Sequence, residues 1–233
     1  MNLNQRLAEV RAEYLKRMTC GDGQLLRTVE RYVTEHDGKM LRPKMVLAAA
    51  ATLGQDAFSS RRTLLMATCV EMLHNASLLH DDVIDKAAQR RGRQSVNARW
   101  GNGVAVLVGD YHLAQIMQLL NDADDREASQ AVNRTVIAMV ESELLAQETA
   151  HPSAETYLRI IDGKTARLFA TAAALGNPAF EPFGLCYGRL FQLRDDQTDG
   201  EDNEHTAPLI RQESEKMQQL QAQGLALEGF ELQ

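Results

Sequence analysis

Two acidic stretches share one spacing: Asp81-Asp82-Val83-Ile84-Asp85 and Asp195-Asp196-Gln197-Thr198-Asp199. Residues four apart on an α-helix lie within roughly 40° of each other, so Asp81 and Asp85 share a face, as do Asp195 and Asp199. Carboxylates about 4 Å apart repel by about 4 kcal/mol at an effective dielectric of 20, so such clusters call for cations or protons. Oxygen donors without Cys or His spacing select hard divalent ions, Mg²⁺ above all when phosphates complete the coordination. Either stretch alone also reads as a solvated acidic helix end. Together they predict two clusters facing one cavity.

Cationic and polar residues surround both motifs in sequence. His74 precedes Asp81 by two helical turns, about 20° away around the wheel and about 10 Å along the axis, and so belongs to the acidic face. His36, His80, His112 and His151 lack that phase and read as structural residues. Gly38-Lys39-Met40-Leu41-Arg42-Pro43 sets two cations three apart beside a glycine and a helix start, which suits a phosphate group. Arg90-Arg91-Gly92-Arg93 is either a solvated basic loop or a grip on a metal-bound diphosphate. Gly163 interrupts the apolar segment from Tyr157 to Leu175. It either kinks a helix, aiming carbonyls beside Lys164 and Thr165 at a developing cation, or marks a loop between two short helices. Gln192, Asp195, Asp196 and Asp199 form an all-polar stripe separate from Phe183, Tyr187, Leu190 and Phe191. That pattern predicts a helix that packs on one side and lines a polar cavity on the other.

The elements that position these residues are helices. Of 233 residues, 44% are hydrophobic and only 5% aromatic, alternating β-branched runs are scarce, and good helix formers dominate. The breakers predict an antiparallel pair on either side of Gly21-Asp22-Gly23 and a helix from Pro43 to Gly54. A long helix follows from Ser59 or Ser60 to the first motif, then an irregular basic stretch over 89–94. Further helices are predicted at 104–120, 127–149, 153–175 and 183–199. A net charge of -7 argues against a nucleic-acid partner. Cys20, Cys69 and Cys186 are scattered and odd in number, which fits a reducing cytoplasm rather than a disulfide framework or a zinc site. The N-terminus has no signal-like apolar region, and no apolar stretch is expected to approach the roughly 20 residues that span a bilayer. One domain covering 1–233 is the expectation.

The run Glu71-Met72-Leu73-His74-Asn75-Ala76-Ser77-Leu78-Leu79-His80-Asp81-Asp82-Val83-Ile84-Asp85 resembles the first aspartate-rich region of the trans-polyprenyl diphosphate synthases. So do Arg90-Arg91-Gly92 and Trp100-Gly101-Asn102-Gly103 with Gly109-Asp110-Tyr111 after it. Gly38-Lys39 with Arg42-Pro43, Asp162-Gly163-Lys164-Thr165-Ala166, and Phe191-Gln192-Leu193-Arg194-Asp195-Asp196 extend the resemblance over about residues 25–199. It implies an all-α, single-domain antiparallel bundle of the isoprenoid synthase type around a central cavity, usually homodimeric. The implied activity joins isopentenyl diphosphate head-to-tail to an allylic diphosphate.

Residue by residue, the resemblance implies an isopentenyl diphosphate pocket of Lys39, Arg42, His74 and Arg91, with Arg90 on the allylic diphosphate. Asp81, Asp85 and Asp195 would ligate Mg²⁺, while Asp82, Asp196 and Asp199 complete the motifs as ligands or by holding metal-bound water. Lys164, Thr165 and Gln192 would lie beside the allylic carbon. Small residues at Ala76 and Ser77, just before Asp81, imply products of C20 or longer. Departures begin after the second motif. Gly200 to Ile210 contains no lysine where the family carries a flap lysine, and Arg211 to Gln233 suffices for one peripheral helix, so the C-terminal part (200–233) reads as shortened. Two competing readings follow: a weakly active or non-catalytic partner of a full-length synthase, and a class I terpene cyclase, which needs only one diphosphate pocket.

Overall fold

The computed structural model describes residues 2–35, 38–200 and 203–230; His36 and its structural reading lie outside them. The chain is all-α. Its helices are α1 (Leu3–Met18), α2 (Gln24–Thr34), α3 (Leu41–Ala51), α4 (Gln55–Ser59), α5 (Arg61–Ile84), α6 (Val96–Trp100), α7 (Asn102–Ala123), α8 (Arg126–Glu148), α9 (Ala154–Ile161), α10 (Arg167–Gly176), α11 (Glu181–Asp199) and α12 (Thr206–Ala222). A π-helical turn, Asp162–Ala166, joins α9 to α10, and a short 3₁₀ turn precedes α11. The chain divides into two compact units, one of Met1–Lys44 and Ser59–Arg126, the other of Met45–Phe58 and Glu127–Gln233.

In the first unit α5 is the organising element. Ser60 caps its N-terminus by accepting from the Thr63 amide, and every residue from Leu65 to Leu73 is buried. Burial all round is what a central helix requires, and here it encloses the polar Thr68 and Glu71 as well. Toward its C-terminal end Leu79 joins Val29, Val96, Ala105 and Val108 in one apolar cluster, which brings α2, α5, α6 and α7 together. The last turn of α5, which carries the first aspartate motif, is more open: Asp82 is buried, Asp81 partly so, and Asp85 exposed.

Two expectations are corrected here. The basic stretch 89–94 is not irregular: β1 (Gln89–Arg90) pairs antiparallel with β2 (Arg93–Gln94), Arg90 opposite Arg93. The turn between them has positive φ at both Arg91 (53°) and Gly92 (76°), the backbone that a tight two-residue hairpin needs and that glycine adopts without a Cβ clash. Secondly, α7 is long and apolar enough to cross a membrane by length and composition. Its buried face of Ala105, Val108, His112, Ile116 and Leu119 belongs to the core of this unit, as a soluble core helix would also show.

In the second unit α11 packs between α10 and α12. Phe183 and Leu190 are fully buried, and Tyr187 and Phe191 meet Phe169 of α10 at ring separations of 5.3 and 5.6 Å. The tail is not peripheral, which corrects the third expectation. Met217 is fully buried, Leu227 and Phe230 nearly so, and the Phe230 ring meets Tyr187 edge-on at 5.1 Å. Burying Met217 and Phe230 contributes about 1.5–3 kcal/mol each, enough to hold α12 and the following turn against α11. Asp195 and Asp199 remain exposed on the last turn of α11, and Gly200 ends the helix in a left-handed conformation.

Candidate active site

In the first unit, three arginines from two segments converge on His74. Its ring is held neutral well below the ordinary imidazole range, by burial first and then by the positive charges of Arg42, Arg91 and Arg90. Arg91 reaches the Gly38 backbone: a Cβ on Gly38 would stand 2.7 Å from a terminal nitrogen of the Arg91 guanidinium, so a side chain there would push the arginine out. The loop 38–40 and the hairpin turn thus come together beside the same face of α5, with Lys39 exposed on that loop. Guanidinium groups gathered around one neutral imidazole make a positive pocket, whose electrostatics suit a diphosphate.

The hairpin that carries Arg90 and Arg91 is anchored from outside the motif. Tyr32 of α2 donates its hydroxyl to Gln94 O at 2.7 Å, and the Arg93 guanidinium stacks 3.7 Å from the Tyr32 ring centroid. Asn97 donates to Asp82 O at 2.9 Å and to Ala87 O at 3.1 Å, holding the exit from α5. Arg90 donates to Asp82 Oδ1 through Nε at 2.9 Å and a terminal nitrogen at 2.6 Å. The partner expected for Arg90 from the resemblance was a diphosphate; in this structure its guanidinium is on the second aspartate of the motif. Asn75, Asp82, Arg90, Arg91 and Arg93 line a cleft beside this pair.

Of the two residues expected to set product length, Ala76 is buried and Ser77 is partly exposed. The Ser77 hydroxyl donates to His74 O at 2.9 Å. Of the histidines read as structural, His112 has that character. His112 is fully buried and hydrogen-bonded to Tyr14 and to Val108 O, His80 lies 3.4 Å from Asp110, and His151 is exposed.

In the second unit the π-turn decides between kink and loop. Helical hydrogen bonding continues through Asp162–Ala166 with one extra residue in the turn. Gly163 is needed there for closeness: a Cβ would lie 2.3 Å from Ser142 Cβ and 2.5 Å from Ala138 O of α8. Lys164 projects to solvent and pairs with Glu143 at 3.6 Å. Thr165 is buried and donates to Gln192 Oε1 at 2.5 Å, so two of the three residues expected beside the allylic carbon meet directly. Gln192 in turn donates to Asp196 Oδ1 at 2.6 Å. Asp162 is engaged by Arg189 in a two-pronged pair at 2.6 and 2.7 Å, and Arg189 also donates to the buried Glu213 of α12 at 3.2 Å. That pair raises the Arg189 pKa, the Asp162 hydrogen bond contributing most.

Each aspartate motif therefore presents carboxylates of two kinds. Asp82 and Asp196 are buried, where they accept from Arg90 and from Tyr157 and Gln192, whereas Asp81 is half-buried and Asp85, Asp195 and Asp199 are exposed. Among the described residues no three His, Cys, Asp or Glu side chains form a closed ligand set. Carboxylates that solvent reaches on each motif fit an ion that keeps waters and takes its remaining ligands from substrate phosphates, as Mg²⁺ does. Tyr157, Glu143 and Arg189 were not singled out by sequence. Tyr157 reads as a core residue of its helix, and the other two as ordinary surface charges.

The polyprenyl synthetase family profile matches residues 23–208. An all-trans-nonaprenyl-diphosphate synthase (geranyl-diphosphate specific) from Rhodobacter capsulatus is 40% identical over 187 residues, covering 75% of this chain and 57% of that protein. Among solved structures, a decaprenyl diphosphate synthase from Rhodobacter capsulatus superposes with a TM-score of 0.81 at 34% identity, covering 84% of this chain and 64% of that one. A polyprenyl synthase from Caulobacter crescentus CB15, complexed with calcium and isoprenyl diphosphate, gives 0.78 at 32%, covering 83% and 62%. The chain spans about six tenths of the length of these relatives.

Proposed function

The chain belongs to the polyprenyl synthetase family, and from that premise we propose that it is a trans-prenyltransferase. It joins isopentenyl diphosphate head-to-tail to an allylic diphosphate and releases an all-trans polyprenyl diphosphate of twenty carbons or more. The observation that carries this reading is the convergence of Arg42, Arg90 and Arg91 on a neutral His74, on the same helix as the first aspartate motif. A cyclase, which takes one diphosphate, has no use for that second anion site.

In this proposal Lys39, Arg42, His74 and Arg91 hold the isopentenyl diphosphate. Neutral His74 offers it a hydrogen bond without adding charge to an already cationic pocket. Asp81 and Asp85 of the first motif would hold Mg²⁺, and so would Asp195 of the second, where Asp199 shares its helix turn. Asp82 and Asp196 keep neighbouring side chains in place, a division supported by their existing hydrogen bonds. When bound, Mg²⁺ neutralises the leaving diphosphate so that the allylic C–O bond can ionise. Arg90 exchanges Asp82 for the allylic diphosphate. The π-turn carbonyls, with Thr165 and Gln192, face the allylic carbon, while Lys164 stays within reach of the departing anion. The isopentenyl double bond forms the new C–C bond, and the proton lost in restoring a double bond passes to the released diphosphate. No protein nucleophile is required.

We further propose that residues 1–233 act as one domain in a cytoplasmic homodimer. The exposed Leu107 (69%) and Met117 (64%) on α7 support a covered surface there, and the three free cysteines support a reducing compartment. Incubating the purified chain with isopentenyl diphosphate, Mg²⁺ and each of geranyl, farnesyl and geranylgeranyl diphosphate, then separating products by length, tests the activity. Products beyond fifteen carbons are expected. A cyclic hydrocarbon made without isopentenyl diphosphate establishes the cyclase instead. Product only when a full-length synthase is added establishes the partner reading.

A further inference from the structure

Tyr157 lies on α9, in neither aspartate motif. Its ring is buried with Ile161, Leu193 and Leu209, but its hydroxyl leaves that apolar cluster and donates to Asp196 Oδ2 at 2.5 Å. Asp196 Oδ1 accepts from Gln192 at 2.6 Å, and Gln192 Oε1 accepts from Thr165 at 2.5 Å. On the far side the Tyr157 oxygen is 3.3 Å from Oγ1 of Thr206, the first residue of α12 and fully buried. Thr206 Oγ1 accepts the Asn203 amide at 3.0 Å.

The protons fix the direction of this chain. A hydroxyl has one proton to give, and an ionised carboxylate can only accept. Tyr157 spends its proton on Asp196 and so accepts from Thr206, whose own lone pair takes the Asn203 N–H. From the other end Thr165 donates to the Gln192 carbonyl, which leaves the Gln192 amide to donate to Asp196. Flipping that amide would set two oxygens against each other at Asp196. Every donor in the network therefore points toward Asp196.

We propose that Tyr157 is the positioning residue of the second aspartate motif, braced by Thr206 at the start of α12. By holding Asp196 from outside α11 it fixes the last turn of that helix, and with it Asp195 and Asp199, and it keeps Gln192 turned toward Thr165 in the π-turn. The segment His205-Thr206-Ala207-Pro208-Leu209, which departs from the lysine-bearing flap expected there, thereby acquires a role: Thr206 bonds the tyrosine hydroxyl and Leu209 packs with its ring. The functional consequence rests on the prenyltransferase reading; the metal-site consequence does not.

Two variants of the full chain, Tyr157→Phe and Thr206→Val, test it by two measurements: steady-state prenyl transfer, and Mn²⁺ titration in the presence of inorganic diphosphate. Phenylalanine keeps the buried ring, so the helical circular dichroism is expected to be retained. Loss of a hydrogen bond to a charged group corresponds to a drop of about tenfold to a hundredfold. It is expected in kcat and as a matching rise in the half-saturating Mn²⁺ concentration, with the KM for isopentenyl diphosphate unchanged. Thr206→Val is expected to move both in the same direction by less, since it removes the brace and leaves the tyrosine in place. Wild-type kcat and wild-type Mn²⁺ titration in folded Tyr157→Phe overturn the assignment. Should that variant fail to fold, unchanged values in Thr206→Val do so. A wild-type chain that makes no prenyl product removes the functional reading, and the Mn²⁺ titration still decides the positioning role. A wild-type chain that binds no Mn²⁺ with diphosphate overturns both.

Discussion

Replacing Glu30 by Gln is expected to flatten the alkaline side of the protein's stability curve. Glu30 lies on α2 with no exposed surface, and among the described residues neither carboxylate oxygen finds a hydrogen-bond donor. Burial pushes its pKa up from 4.5 to about 8. His112 Nδ1 is 3.5 Å away, close enough to suggest an ion pair. However, burial favours the neutral ring, in which Nδ1 donates to Val108 O at 2.9 Å and Nε2 accepts from the Tyr14 hydroxyl at 2.7 Å. Burial, partly opposed by the Val108 bond, lowers its pKa from 6.5 to about 4. Both groups are therefore neutral in the folded protein near pH 6.

Between pH 4.5 and 8 the folded state keeps a proton on Glu30 that the unfolded chain has released, so stability falls by about 1.4 kcal/mol per pH unit. His112 acts oppositely between pH 4 and 6.5, where only the unfolded chain is protonated. The two offset each other up to pH 6.5, and Glu30 acts alone from 6.5 to 8, a loss of about 2 kcal/mol. At about 2–4 °C per kcal/mol for a chain of this size, the wild-type Tm should drop by about 4–8 °C between pH 6.5 and 8. Glutamine cannot ionise, so Glu30→Gln should lose only the background shared by both proteins. Differential scanning calorimetry of the two at both pH values measures the difference. Equal drops in Tm would refute the argument that Glu30 is protonated in the folded state.

Asp81→Ala or Asp195→Ala should reduce kcat at saturating Mg²⁺ by at least about a hundredfold, a loss of about 3 kcal/mol, without loss of helical circular dichroism. A variant that keeps most of its turnover excludes that residue as a metal ligand. Arg42→Ala and His74→Ala should raise the KM for isopentenyl diphosphate far more than that for the allylic substrate, and Arg90→Ala should do the reverse; equal effects in all three show that the pockets are wrongly divided. Ser77→Phe should shorten the product, read by chromatography, because Ser77 is partly exposed one turn before Asp81. Ala76→Phe should instead lower the Tm by overpacking a buried position, at a cost of about 1–3 kcal/mol. An unchanged product distribution in an active Ser77→Phe protein removes Ser77 from chain-length control.

The helices, their approximate ends and the polar face of α5 were legible in sequence because they rest on local rules: a 3.6-residue period, breakers at Gly21 and Gly54, a cap at Ser60. The same locality made the first motif and His74 readable together, since a single helix fixes their relative phase. Three kinds of feature were not legible. The hairpin at 89–94 depends on positive φ at Arg91, a residue that rarely takes that conformation, and is held by Tyr32 from a distant helix. Gly163 looked like a breaker, yet its role is the close approach of α8, which only packing reveals.

The division of the aspartates is the third. In sequence Asp81 and Asp82 are equivalent, as are Asp195 and Asp196. Tertiary structure separates them by burial: Asp82 is buried with Arg90 on it and Asp196 with Tyr157 and Gln192, while Asp81 is half-buried and Asp195 exposed. A spacing rule states which carboxylates share a face. It cannot state which of them another element buries, because the covering residues arrive from a part of the chain that local sequence does not see.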